Sequence, residues 1–290
     1  MEASFDKDLK STYTPPPPPP SLPRLPWSRR LNLLNVVFLI FILAVIFSGI
    51  GLQGPGRSLD YGGNLIGFLK RFYPPDFTVL PAALSALLET LEIAVLATFF
   101  AIILSFVLAL AAAQNLTPRW IVIPIRFLLN LIRTPPSLIW ALFAVAIVGA
   151  NALAGVIALT FYSTGYLGKF FSETFESLDL SVARGLRAIG AGRIQAFQYG
   201  LWPMAKPLIW SHAIWMLEYN IRSAAIIGYV GAGGLGLLLH TYQEYLQWDR
   251  FATVFLCILV VVTILDALGQ SIRRKITHTS TSGNHFAVSE

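Results

Sequence analysis

Glu218-Tyr219-Asn220-Ile221-Arg222 places a carboxylate and a guanidinium inside an otherwise apolar run. An ionisable group within a membrane costs on the order of 3 kcal/mol, so such residues mark function by default. Glu218 and Arg222 stand at i and i+4, the spacing that lets them pair on one helix face. Two readings follow. The pair locks helix packing, or it faces a water-lined path and presents Arg222 and Asn220, with Ser223 beside them, to an anion. The next stretch, Gly228–Gly236 (GYVGAGGLG), matches Gly-x-Gly-x-x-Gly through Gly231, Gly233 and Gly236. A dinucleotide site needs a strand before that motif. Here an apolar span precedes it, which removes the nucleotide reading. Gly228, Gly231, Gly233, Gly234 and Gly236 instead permit an unwound segment and close helix contact, suited to a moving gate or to plain small-residue packing.

No other constellation points to catalysis. His212, His240, His278 and His285 lack the spacing of a zinc site, and no Ser or Cys sits in a nucleophile motif. Cys257 lies alone in an apolar run and reads as packing. A Walker A sequence is missing from the chain, so the chain is not expected to hydrolyse ATP, and neither metal nor cofactor is expected in it.

A third polar unit lies upstream, Ser181–Pro203 (SVARGLRAIGAGRIQAFQYGLWP). Val182, Leu186 and Ile189 fall at i, i+4 and i+7, so they are expected to line one face of a short helix with Ser181 as N-cap. Gly190 and Gly192 break it. A second short helix is expected from Arg193 to about Tyr199, closed by Pro203. The product is two short helices at a glycine elbow carrying Arg184, Arg187 and Arg193.

The elements that must position these residues are membrane spans. The chain has 290 residues, 55% hydrophobic and 12% charged, with mean hydropathy +0.65. A soluble domain carries about 25% charged residues. Residues 1–30, with Pro15–Pro20 in one run, cannot bury a core and read as a solvated, polyproline-rich cytoplasmic tail, with an SH3-like ligand as the rarer alternative and no signal peptide. The membrane region runs over 31–275, with a polar loop at 172–206, and 276–290 form a second cytoplasmic tail. The expected spans are Leu31–Leu52, Leu84–Ala113 with Glu89 and Glu92 near its outer end, Ser137–Gly149, Ala152–Phe170, Leu208–Ile227 and Phe251–Leu268. Gln53–Pro81 reads as an outer loop, and Thr117–Arg133 as a basic interfacial helix with Trp120.

Lysine and arginine set the orientation. With both termini inside, the inner segments hold 16 of the 21: Lys7, Lys10, Arg24, Arg29, Arg30, Arg119, Arg126, Arg133, Lys169, Arg184, Arg187, Arg193, Lys206, Arg273, Arg274 and Lys275. The outer segments hold 4, namely Arg57, Lys70, Arg71 and Arg250, and Arg222 lies within a span. This bias places Ser181–Pro203 in the cytoplasm. It also explains the net charge of +6 by topology, with no nucleic-acid partner.

The Ser181–Pro203 layout resembles the EAA loop of ABC-importer permeases, whose pattern is Glu-Ala-Ala, three residues, Gly, nine residues, then Ile-x-Leu-Pro. Gly190 matches the central glycine and Pro203 the terminal proline. Arg184-Gly185-Leu186 stands in place of Glu-Ala-Ala, and Gly200 and Trp202 in place of Ile and Leu. Further stretches resemble the phosphonate-importer permeases: Phe72–Phe77, Ala146–Gly155, Gly185–Gly190, Tyr199-Gly200, and Glu218–Ala224 running into Gly231–Gly236. The resemblance covers roughly residues 70–275.

It implies an all-α type I importer permease of about six transmembrane helices in a bacterial inner membrane. It further implies a homodimer, two cytoplasmic ATPase subunits holding ATP and Mg, and a binding protein outside that delivers a phosphorus oxyanion such as phosphonate, phosphite or a phosphate ester. The ATPases would dock on the loop through Arg184, Gly185, Leu186, Arg187, Gly190, Arg193 and Pro203. Rival readings are a methionine-type permease, an ion channel that needs no ATPase, and an intramembrane enzyme.

Overall fold

The computed structural model describes residues 33–51 and 60–282. The polyproline tail, the stretch 52–59 and the end of the C-terminal tail lie outside the described residues. Every described element is helical: α1 (Leu33–Gly51), α2 (Tyr61–Lys70), α3 (Leu80–Ala112), α4 (Arg119–Arg133), α5 (Ser137–Val148), α6 (Ala152–Ser177), α7 (Ser181–Ala188), α8 (Arg193–Ala196), α9 (Trp202–Ile227), α10 (Gly234–Glu244) and α11 (Trp248–Ser282), with short 3-10 or π turns at Phe77–Val79, Phe197–Leu201 and Gly228–Val230. The helix α1 belongs to one unit, and the elements from Gly62 onward form a second. The helix α1 covers the apolar core of the expected first span.

In the second unit, α3, α4, α5 and α9 all pack on α6. The chemistry of the contact is small residue against small residue. On α3, Ala94, Ala97, Ala101, Ser105 and Ala109 are fully buried, while Val95, Phe99, Phe100, Ile103 and Val107 point outward. That is the reverse of a soluble protein's large-inside pattern, and it suits helices whose outer face meets lipid tails. At Gly165 and Gly168 of α6 an added methyl would meet Arg133 N at 3.0 Å and Leu129 Cδ2 at 2.7 Å, so α4 lies directly against this helix.

Among the described residues, two helical stretches can cross a membrane by length and composition, Phe77–Ala112 and Trp248–Ile276, rising to four if each bent pair counts as one span. The bent pairs are Arg119–Arg133 with Ser137–Val148, at 87°, and Arg193–Val230 with Gly234–Glu244, at 43°. The helix α6 has 26 residues and is long enough, but it carries Thr160, Ser163, Thr164, Ser172 and Thr174, all buried. Hydroxyls satisfy themselves on the helix's own carbonyls: Thr164 donates to Thr160 O at 2.7 Å and Thr174 to Phe170 O at 2.9 Å. This interior helix therefore reads as less apolar than the helices that shield it.

Three expected boundaries move. Ser137–Gly149 is not a full span: α5 has 12 residues, about 18 Å at 1.5 Å per residue, and is the second limb of a bend at Thr134-Pro135-Pro136. Within the expected outer loop, Tyr61–Lys70 is helical. It is followed by an aromatic cluster in which the Trp248 ring lies 5.1 Å from Phe68 and 5.6 Å from Phe72. Last, α9 begins at Trp202 rather than Leu208, with Pro203 in its first turn. Pro203 opens this helix instead of closing the loop, because the first turn needs no N–H from it.

Candidate functional site

Two places gather the charges singled out in the sequence. The first is the seam between α9 and α11. Glu218, 8% exposed, pairs with Arg273 of α11. Arg222 Nη2 lies 3.6 Å from Asp266 Oδ1, also on α11. The expected Glu218–Arg222 pair along one helix does not form; each residue reaches across to a partner on the next helix. Asp266 and Arg273 stand two turns apart on one face of α11 and Glu218 and Arg222 one turn apart on α9, so the long arginine side chains make up the difference in rise. Gly269 sits between them. A methyl added there would run into the Glu218 carboxylate, so the glycine makes the space for that rung.

Asn220 faces the other way. It is fully buried: its Oδ1 accepts from Ser163 Oγ at 2.8 Å and its Nδ2 donates to Thr98 Oγ1 at 2.9 Å. Thr98 in turn donates to Ala94 O at 2.7 Å. This network ties α9 to α3 and α6, and the full burial of Asn220 keeps it from any surface of the chain. Ser223 is buried as well. Of the four expected path residues only Arg222, with 49% of its side chain exposed, has a solvent- or lipid-facing surface. Sequence reasoning missed Asp266, Gly269 and Arg273. A carboxylate in the last apolar run is a signal for the first, whereas the lysine and arginine count uses Arg273 for topology alone.

The glycine stretch forms the end of this unit. The helix α9 gives way to a 3-10 turn at Gly228–Val230, and α10 starts at Gly234 after the chain bends by 43°. Gly231 has φ 90° and Gly233 φ 83°, conformations that L side chains rarely adopt. At Gly228 a methyl would lie 2.5 Å from Gly233 O, and at Gly236 it would collide with Ala225 O. Thr90 Oγ1 of α3 accepts the Leu235 N–H at 2.8 Å, satisfying one donor at the start of α10. The unwound segment and close contact expected of these glycines are present. A helix, not a strand, precedes them, and none of the described residues is in a strand.

The second place is the loop between α6 and α9. Ser181 is the first residue of α7, not its cap; Asp179 Oδ1 accepts the Ser181 N–H at 2.8 Å, and the Ser181 hydroxyl donates to Oδ2 at 2.6 Å. Those two bonds, with Arg184 nearby, hold the Asp179 carboxyl below its ordinary pKa. The inward face is Ala183, Ala196 and Leu201 with Leu186 and Phe197 against them. Of the expected stripe only Leu186 packs inward, while Val182 and Ile189 are exposed. The elbow is a Schellman motif: Gly190 N–H donates to Arg187 O at 3.1 Å and Ala191 N–H to Leu186 O at 3.0 Å, with Gly190 at φ 98°. The second helix is only Arg193–Ala196, and the π turn Phe197–Leu201 carries the chain into α9.

Arg184, Arg187 and Arg193 ring a groove of about 600 Å³ lined also by Asn115 and Phe197. Among the described residues no three His, Cys, Asp or Glu side chains come together as a metal site.

Residues 101–278 match the family described as "Binding-protein-dependent transport system inner membrane component". The chain is 34% identical over 251 residues to the phosphite transport system permease protein PtxC of Stutzerimonas stutzeri, covering 86% of this chain and 90% of that one. It is 33% identical over 230 residues to the phosphate-import permease protein PhnE of Mycolicibacterium smegmatis, covering 79% and 43%. Its fold is similar to a solved chain of the MetNI methionine ABC transporter in an inward-facing conformation, with a TM-score of 0.61 at 21% identity over 69% of this chain and 99% of that one.

Proposed function

The chain belongs to the binding-protein-dependent transport system inner membrane component family, and on that premise we propose that it carries a phosphorus oxyanion, phosphite or a phosphonate, across the bacterial inner membrane. It is a multi-pass permease subunit of an ABC importer, with the type I importer fold. The observation that carries the substrate reading is the likeness to the phosphite permease over 86% of the chain. The likeness to the methionine transporter, at 21% identity, speaks to fold alone.

The permease works, on this reading, as a pair of identical chains. Two ATPase subunits in the cytoplasm dock on Ser181–Leu201, and ATP with Mg binds and is hydrolysed on them. A binding protein outside selects the oxyanion and delivers it. Closure of the ATPase dimer moves the two loops and switches the pathway from inward- to outward-facing, as rigid-body rocking. The loop is built for this: a Schellman elbow holds two short helices at a fixed angle, and its apolar inner face anchors it against the end of α6. Arg222 is the path residue, since guanidinium matches a tetrahedral oxyanion bidentately. The glycine break after α9 is the hinge on which the outer end of the path opens.

The test is a proteoliposome holding this chain, its ATPase and its binding protein. Phosphite or a phosphonate, added outside with the binding protein, is expected to raise ATP hydrolysis, and methionine is not. Stimulation by methionine alone would replace the substrate. Failure of any ATPase to associate would favour a channel.

A further inference from the structure

Arg184, Arg187 and Arg193 are exposed, and among the described residues no carboxylate lies within ion-pair distance of them. Elsewhere five basic side chains are paired, Arg126 with Glu176, Lys169 with Glu173, Arg222 with Asp266, Arg250 with Asp76 and Arg273 with Glu218, whereas Arg119, Arg133 and Lys206 have no ion pair among the described residues. Asp179 is the acid beside the loop arginines, yet its two oxygens are taken by Ser181. Three like charges around one groove repel each other, and within this loop Asp179, near Arg184, is the single acid that offsets them in part. Asn115, which lines the same groove, has a buried Oδ1 with no hydrogen-bond donor. The loop also exposes apolar side chains, Ile189 at 83% and Ile194 at 80%. Apolar knobs with an unbalanced polar rim are the composition of a protein-docking surface.

We propose that the ATPase surface receiving this loop is acidic, and that its carboxylates enter the groove and pair with Arg184, Arg187 and Arg193. This rests on the reading that an ATPase docks here, and it adds the chemistry of the partner. A protein surface can offer carboxylates to the arginines together with apolar cover for the exposed Ile189 and Ile194. A lipid phosphodiester offers the charge alone. The arginines set register and partner choice, and the apolar knobs supply the rest of the contact.

The experiment uses the full chain in nanodiscs, made either of phosphatidylcholine alone or with phosphatidylglycerol, and its cognate ATPase subunit in solution. Affinity is measured from about 50 to about 500 mM NaCl, a range over which charge screening becomes severe. Wild-type affinity is expected to fall steeply with salt. The triple variant R184Q/R187Q/R193Q is expected to bind about tenfold more weakly at low salt, with a flattened salt dependence. The triple lysine variant is expected to retain most of the affinity, which separates charge from fold, and an unchanged size-exclusion profile checks the fold directly.

Equal affinity and salt dependence in wild type and glutamine variant would overturn the acidic partner and leave docking standing. A deficit seen only with phosphatidylglycerol would assign the arginines to lipid headgroups and overturn it too. No binding by wild type at any salt would remove the docking reading itself, and the proposal with it.

Discussion

The seam between α9 and α11 and the loop between α6 and α9 both gather charge, and they treat it in opposite ways. Across the seam each charged side chain from α9 meets an opposite charge on α11, Glu218 with Arg273 and Arg222 with Asp266. In the loop three guanidiniums remain open, and the side chains that pack inward are Ala183, Ala196 and Leu201. The buried Glu218–Arg273 rung fixes a helix register, because slipping either helix would strand both charges in a medium that cannot solvate them, while the half-exposed Arg222–Asp266 rung constrains it little. Charges left open on the loop lie exposed. The same residue type, arginine, therefore ties two helices together in one place and, on the proposed docking, is left for another molecule in the other.

The sharpest way to break this comparison is Arg273→Ala. It leaves the Glu218 carboxylate buried and unpaired, which costs about 3–5 kcal/mol. A large drop in thermal stability in detergent, or in the folded yield, is expected. Adding Glu218→Gln to it is expected to recover most of the loss, because the amide needs no counter-charge. Equal stability of the single and double variants would mean that the seam is solvated and the contrast with the loop is false.

A smaller effect is expected at Gly190. Its φ of 98° strains any residue with a Cβ by about 1–2 kcal/mol, yet nothing lies within 4 Å of where that Cβ would be. Gly190→Val should therefore leave the membrane fold intact and distort only the elbow. Purified protein should melt close to wild type, while substrate-stimulated ATP hydrolysis falls severalfold. Normal stimulation in a variant with this elbow changed would count against the loop as the coupling element.

The sequence made the spans α3 and α11 legible, because a run of large apolar residues needs no partner to be recognised. It also made legible the break after α9, since glycines at that density leave few alternatives. What it hid is everything that depends on a second helix. The i, i+4 rule made Glu218 and Arg222 look like partners, since it knows only one helix; the register of α11 decided otherwise. Asn220 looked like a path residue for the same reason, although Ser163 and Thr98 claim both ends of its amide. Pro203 failed differently. Proline ends one helix and starts the next with equal ease, so its presence fixed a boundary without saying which side was helical. In the loop, Ala183 is buried and Val182 and Ile189 are exposed, because periodicity gives a face but not whether the fold or a partner covers it.

The smallest stability effect is expected at Arg222, and for that reason it discriminates best. Its pair with Asp266 is 3.6 Å long, with 49% and 35% of the two side chains exposed. Pairs of that kind contribute about 0–1 kcal/mol, so Arg222→Ala should fold and melt nearly as wild type does. Arg222→Lys preserves the charge but loses the planar fork that grips two oxygens at once. If Arg222 meets the oxyanion on its way through, uptake per folded molecule falls in both variants, and more in alanine. If it is only a second rung of the seam, lysine restores uptake fully and Asp266→Asn mimics the alanine loss. The ratio of lysine to alanine uptake, normalised to folded protein, thus separates a residue that touches the cargo from one that merely aligns two helices.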